Sequence, residues 1–244
     1  MGVALVIFAI SILFELAPVA AAAWRWRALT RPLRLVAACF GVMFVQDVAG
    51  WWMAERDINN LWLSHVATPV QTLLLLFALA EWETTETGHR AVRFAGLGFL
   101  GVWGVLLLAV EDPLAFSRFT QPLQAILVVS VAAWTLVQRT ARTFETPLAE
   151  PWFWVCSGLL LYFGTGVVLS PVANVLMHSA PDRLLMAHEA KAIINIVAYL
   201  LVARGMLCRL PSGSSGGSSS PQASSPSSSP RRSSALFSSS SAAS

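Results

Sequence analysis

Apolar runs, each near twenty residues and separated by short polar segments, recur along the first 209 positions. At 1.5 Å per helical residue a run of that length spans a hydrocarbon core of roughly 30 Å. The pattern predicts seven membrane-spanning helices over Val3–Trp24, Leu33–Ala54, Leu61–Ala80, Phe94–Val110, Ser117–Val137, Phe153–Met177 and Leu184–Leu207. The expected fold is an all-α membrane protein, a seven-transmembrane-helix bundle over residues 1–209. Polar residues interrupt the runs unevenly. Glu15 and Pro18 fall in the first, Gln46 and Asp47 late in the second, and Gln121, Pro122 and Gln124 early in the fifth. The third opens with Ser64, His65, Thr68, Pro69, Gln71 and Thr72 and closes with a dry LLLLFALA segment. In the fourth, Gly98, Gly101 and Gly104 form a small-residue ridge of the kind that lets another helix approach closely. Residues 210–244 are mostly Ser with Pro, Gly, Ala and an Arg-Arg pair. So little apolar surface cannot offset ordering entropy, and this second unit is expected to be a disordered cytoplasmic tail.

Composition agrees with the pattern: 56% of residues are hydrophobic and 12% charged, against roughly 25% charged in soluble domains. The net charge of +3 would suggest a nucleic-acid partner in a soluble protein. Here the basic residues flank the runs and report topology, so the lipid bilayer is the partner and nucleic acid is not. Twelve Arg residues fall in the first, third and fifth loops or near and beyond the last run; Arg56, Arg118 and Arg183 lie on the other side. The positive-inside rule then places the N-terminus outside and the C-terminus in the cytoplasm. The first run lacks a basic leader and contains Glu15, so no cleavable signal peptide is expected. Cys39, Cys156 and Cys208 form no C-x-x-C pair, and neither zinc nor redox chemistry is signalled.

The candidate chemistry centres on Lys191, the one Lys beside fifteen Arg. An ionisable group at membrane depth is costly and marks a functional site by default. Lys, unlike Arg, can give up its proton or form a Schiff base. Helical rise puts Lys191 and Asp47 each roughly 10 Å from the outer end of its run. Asp47, His65, Gln71, Gln121, His188, Lys191 and Asn195 are therefore the expected lining of a polar pocket opening outward. The inner half is mostly aliphatic, which suits a ligand or ion site better than a pore. His188, Lys191 and Asn195 share a helical face, whereas Glu189 points about 200° away. Asp47 is thus the expected ion-pair partner of Lys191. Glu15, three residues before Pro18, is expected to stabilise the helix near the carbonyls that proline frees. His188 and Glu189 diverge by about 100° on one helix and would hardly chelate one metal. No catalytic triad or phosphate-binding loop is present, so no catalytic residue is assigned.

Two resemblances follow. Seven runs, an outward N-terminus, a lone Lys in the last helix and Thr68-Pro69 before a leucine run resemble the microbial rhodopsins. That resemblance implies retinal bound to Lys191 as a Schiff base. The chain departs from the family in having no carboxylate in the third run. Asn60-Leu-Trp-Leu with Thr68-Pro69, Phe153-Trp-Val-Cys-Ser-Gly-Leu-Leu-Leu-Tyr-Phe-Gly164, and His188 before an Ile/Asn-rich run resemble a family of uncharacterised bacterial seven-helix membrane proteins associated with sensor kinases. It implies a non-enzymatic sensory or accessory protein in the inner (plasma) membrane. It supplies no cofactor and no catalytic residue, and signalling output would pass through a membrane or cytoplasmic partner.

Overall fold

The computed structural model describes residues 2–115, 117–142, 147–179 and 181–208, with the side chains of 2–5, 8, 170–179, 181–185 and 188 excepted. The Ser-rich segment 210–244 lies outside the described residues, as does Arg209. Among those described are seven α-helices: α1 (Gly2–Trp24), α2 (Arg31–Ala54), α3 (Leu61–Ala80), α4 (Glu86–Ala109), α5 (Thr120–Arg142), α6 (Pro151–Ser179) and α7 (Pro181–Leu207). Six are long and apolar enough to cross a membrane; in α1 the described apolar stretch is the shorter Ala9–Trp24.

The surface is inverted relative to a soluble protein. Val66 and Val70 of α3, Val105 of α4, Ile126 of α5 and Val197 of α7 face outward, and Leu108 is 89% exposed. Thr68, Gln71, Thr72, Gln124 and Thr135 are buried inside. Water on the outside would make this arrangement unfavourable, whereas lipid makes it stable. The exposed indoles of Trp24 and Trp26 at one end and of Trp51, Trp52 and Trp62 at the other stand where interfacial aromatic belts form.

Six helices close a ring: α1 packs on α2, α2 on α3, α3 on α5, α5 on α6, α6 on α7, and α7 back on α1. α4 lies against α3 and touches α5 slightly, burying only Val92, Gly96 and Phe99. The close approach of α6 and α7 depends on two glycines. A Cβ on Gly158 would come within 2.6 Å of Val202 Cγ2 and 2.9 Å of the Ala198 carbonyl, and one on Gly205 within 2.8 Å of Val155 Cγ2. The Gly98, Gly101 and Gly104 ridge expected to seat a helix instead has nothing within 4 Å of a Cβ.

Several helices run beyond their apolar runs, and in α4 a polar side chain caps the extension. α4 starts at Glu86, eight residues before the expected Phe94, with the Thr85 hydroxyl accepting from Gly88 N–H at 3.1 Å. α7 starts at Pro181, so Lys191 is ten residues in, about 15 Å along the axis and deeper than expected.

Arginines knit one end. Arg25 donates to the Leu207 carbonyl at 2.7 Å, tying the end of α1 to the end of α7. Arg31 and Arg93 both reach Glu81, at 3.5 and 2.9 Å, and Arg139 Nε donates to the Trp82 carbonyl at 2.6 Å. The C-terminal ends of α1, α3, α5 and α7 thus gather with the starts of α2 and α4. At the opposite, arginine-poor end, Asn59 donates to the Leu114 carbonyl at 3.1 Å and Asn60 to that of Gly50 at 2.7 Å.

Candidate functional site

On each ring helix one inward stripe changes character along its length. In α2 the stripe runs Val36, Phe40, Met43, then Asp47; in α7 it runs Lys191, Asn195, Ala198, Val202. In α5 Gln121 and Gln124 precede buried Val128 and Ala132. Steps of three and four keep these residues on one face. The ring interior is consequently aliphatic toward the arginine-rich end and polar toward the arginine-poor end.

The polar half encloses a cavity of about 110 Å³. α2 supplies Gln46 and Asp47, α3 Thr68 and Gln71, α5 Gln121 and Gln124, α6 Tyr162, and α7 Lys191. Some of the wall is fixed by hydrogen bonds. Gln71 Nε2 donates to Gln46 Oε1 at 2.7 Å, and Gln124 Nε2 to the Thr68 carbonyl at 3.3 Å. Gln46, Asp47 and Gln121 also border a second recess of about 320 Å³, which continues past Gly50 and Ser64 to Trp51 and Asn60 at the arginine-poor end.

Asp47 and Lys191, placed together by depth counting, do face one cavity and feel each other's charge. The expected ion pair does not close. Among the described residues the salt bridges within 4.0 Å are Arg31–Glu81, His65–Glu111, Arg90–Glu86 and Arg93–Glu81. Gln71 and Gln121 line the same cavity as Asp47 and Lys191. Asn195 lies one turn below Lys191, off the cavity wall, with its Oδ1 buried and without a hydrogen-bond partner among the described residues. The His188 side chain falls outside the described residues.

His65 goes elsewhere. Its Nε2 is 3.1 Å from the Ala115 carbonyl, and its Nδ1 is 3.5 Å from Glu111 Oε2. Glu111 in turn accepts from the Phe119 and Thr120 backbone N–H groups at 2.7 and 3.0 Å, the Thr120 hydroxyl at 2.6 Å and the Ser117 hydroxyl at 3.1 Å. A carboxylate at the start of α5 also complements the helix dipole. Burial works against its charge, yet hydrogen bonds from Thr120, Phe119 and Ser117 together hold the carboxyl below its ordinary value. His65 thus anchors the α4–α5 connection and does not line the pocket.

Glu15 is fully buried on the inward stripe of α1, between Ser11 and Pro18. Neither carboxyl oxygen has a hydrogen-bond partner among the described residues. It lies within electrostatic reach of Asp47, Cys39, Tyr162 and Tyr199, which sets it behind the cavity. The two tyrosine rings lie tilted at 38° with centroids 5.7 Å apart, and Tyr199 meets Phe40 edge-on at 5.9 Å. They separate the polar half from the dry half.

Sequence reasoning missed Glu111 and Tyr162. Glu111 lies in a loop whose folding is set by long-range contacts; Tyr162 is embedded in an apolar run, and its one signal is that the chain has only two tyrosines. Among the described residues no three His, Cys, Asp or Glu side chains converge as metal ligands would. Lys191 is the one side-chain amine able to hold an aldehyde cofactor. No family model matches this chain, and neither does any curated protein or solved structure.

Proposed function

We propose that this chain is a non-enzymatic, multi-pass protein of a bacterial inner membrane, sensory or accessory in role, that takes a small polar ligand into the cavity between Asp47 and Lys191. One observation carries the reading. Two opposite charges deep in the bundle face the same cavity, and neither forms an ion pair or hydrogen bond with another described residue. Charges kept at that depth without partners are expensive unless something else engages them. Seven spans with the N-terminus outside and the arginine-rich end in the cytoplasm follow from the loop charges, and the gathering of those arginines at one end of the bundle supports that topology. The recess leading from the cavity then opens outward, and a ligand arrives from outside. A signal leaves through a partner protein on the cytoplasmic side, in keeping with the resemblance to sensor-kinase-associated seven-helix proteins.

Thiol accessibility tests the reading. In a Cys208→Ser background, Ser64→Cys and Ala125→Cys should react with a membrane-impermeant thiol reagent added to intact cells, and Val202→Cys should not. Labelling of the first two only in inverted vesicles would overturn the topology.

A retinal protein is the second reading, favoured by an amine in a cavity with Asp47 within electrostatic reach as counter-ion. The amide-rich walls suit a hydrated ligand better than a polyene. A visible absorption band after retinal addition, removed by Lys191→Ala, would establish retinal; a featureless spectrum would dismiss it.

A further inference from the structure

The geometry points to a compact zwitterion as the ligand of this cavity: one small molecule carrying an ammonium for Asp47 and an acidic oxyanion for Lys191. The inference rests on the reading of the cavity as an outward-facing binding site.

Asp47 projects from α2 and Lys191 from α7, helices that both pack on α1. Their charges attract but no ion pair closes within 4.0 Å, so the cavity lies where a direct pair would otherwise form. A simple anion would satisfy Lys191 and, by displacing the water between the two charges, leave Asp47 unpaired; a simple cation would do the reverse. A ligand with both charges satisfies both ends and leaves the site neutral, which is the condition under which burying charge is tolerated. Size agrees. A water-sized group needs about 10–15 Å³ of this kind of volume, so about 110 Å³ accommodates a molecule of seven to ten heavy atoms, with the adjoining recess free for a side chain.

The rest of the wall fits the same chemistry. The Gln71–Gln46 bond consumes one amide hydrogen and one carbonyl, leaving a carbonyl on Gln71 and an amide group on Gln46 to meet the ligand's donors and acceptors. Tyr162 and Gln121 add further polar groups on α6 and α5. Glu15 lies behind the wall and does not line it. If it carried charge, the site would be net negative and a plain cation would compete, an outcome the experiment reads directly. Free amino acids and the phosphoethanolamine headgroup of a lipid share the required chemistry.

The test uses the full chain purified into nanodiscs of phosphatidylglycerol, which offer no zwitterion. The Ala125→Cys, Cys208→Ser protein is labelled in the presence of glycine, alanine or glutamine, and of two half-ligands, N-acetylalanine for the anion and alaninamide for the cation. A zwitterion at ten times its Kd should slow labelling about tenfold by mass action, and the half-ligands should slow it far less. Added Asp47→Asn or Lys191→Met should abolish protection, and the rise in unfolding temperature caused by the same zwitterion in the cysteine-free-surface parent (Cys208→Ser) should vanish with it. Protection in phosphatidylethanolamine nanodiscs without added amino acid supports the zwitterion and assigns it to a headgroup. Equal or better protection by either half-ligand, protection that survives both substitutions, or no protection by any zwitterion in either lipid overturns the inference. Labelling of Ala125→Cys without protection would overturn the ligand class alone; an unreactive Ala125→Cys and Ser64→Cys would overturn the cavity reading beneath it.

Discussion

The two halves of the helix ring are built by the same helices from opposite materials. Toward the arginine-rich end, Leu33, Val36, Leu76, Leu79, Val155 and Met206 are almost wholly buried, and α6 and α7 meet on glycine. Toward the arginine-poor end, Asp47, Lys191 and a set of glutamines border open volume. A lipid solvent gives helices no hydrophobic reason to associate, so the dry half must be held by close packing. The wet half can then afford an incompletely packed interior. Stability is concentrated where the chain is least polar, and binding chemistry where it is least packed.

The largest effect should come from disturbing the dry half. Gly158→Leu places its Cβ against Val202 Cγ2 and, more seriously, the Ala198 backbone carbonyl, which cannot rotate away. Overpacking of this kind costs about 3 kcal/mol at the upper end of its usual range. Thermal unfolding in detergent should show a large fall. At Gly101 in α4 an added Cβ meets nothing within 4 Å, and Gly101→Leu should by helix propensity gain up to about 1 kcal/mol. Equal losses at both sites would show that the α6–α7 contact is not the special one.

Next comes Glu111, the latch that closes the wet end. Replacing it with Ala removes the acceptor for two backbone N–H groups and two hydroxyls, and takes the carboxylate away from His65. A cost of about 1–3 kcal/mol is expected for a hydrogen-bonded charge of this kind. The pH dependence has a definite sign. The folded state holds the Glu111 carboxyl below its ordinary value of 4.5, so its stabilisation is present above pH 4.5. It is lost as pH falls through the lower folded-state value. Glu111→Gln should remove that part of the acid-side loss. An unchanged stability–pH curve between the two proteins would show that the latch does not depend on charge.

Much of this division can be read from residues alone. α3 matches its expected bounds because Asn59 and Asn60 punctuate its start and a continuous apolar run ends at Ala80. Depth is legible to within about one helical turn, since helical rise is constant: it brought Asp47 and Lys191 to one cavity, although the longer α7 sets Lys191 deeper than its apolar run implies. Azimuth is not. His65 is at a suitable depth, but the rotation of α3 and the course of the α4–α5 loop send it to Glu111 and Ala115. Small residues similarly advertise a possible contact without naming its partner. Gly98, Gly101 and Gly104 look like a helix seat and face open space, whereas Gly158 and Gly205, far apart in sequence and on different helices, make the actual contact.

A smaller effect is expected where the wet half borrows support from the peripheral helix. Pro69 has no N–H for the carbonyl of His65 four residues earlier. Trp103 of α4 supplies the missing donor, its Nε1 lying 3.0 Å from the His65 carbonyl. Trp103→Phe keeps an aromatic ring and removes the bond, for an expected loss of about 1 kcal/mol in thermal unfolding. If the loss disappears in a Pro69→Ala background, where the backbone donor returns, the bond's role is established. A loss that persists there would assign it to packing.

The smallest effect on stability should come from the two charges that matter most for binding. Asp47 and Lys191 are not closed into an ion pair, and a cavity large enough to hold water lies beside both. Across water, unit charges even 4 Å apart interact by only about 1 kcal/mol. A double-mutant cycle with Lys191→Met, Asp47→Asn and the pair should therefore give a coupling energy below about 1 kcal/mol in ligand-free protein. Each single substitution should also unfold at nearly the parental temperature. A coupling of about 3 kcal/mol or more, as for a buried pair that has lost one partner, would mean that the two side chains close on each other in solution and that no ligand space remains. The contrast with Gly158 is the sharper half of the experiment. There, added methyl groups unfold the protein and touch no ligand. Here, deleting a charge leaves the bundle standing and takes ligand stabilisation away, because the energy kept in the wet half is available only to what binds there.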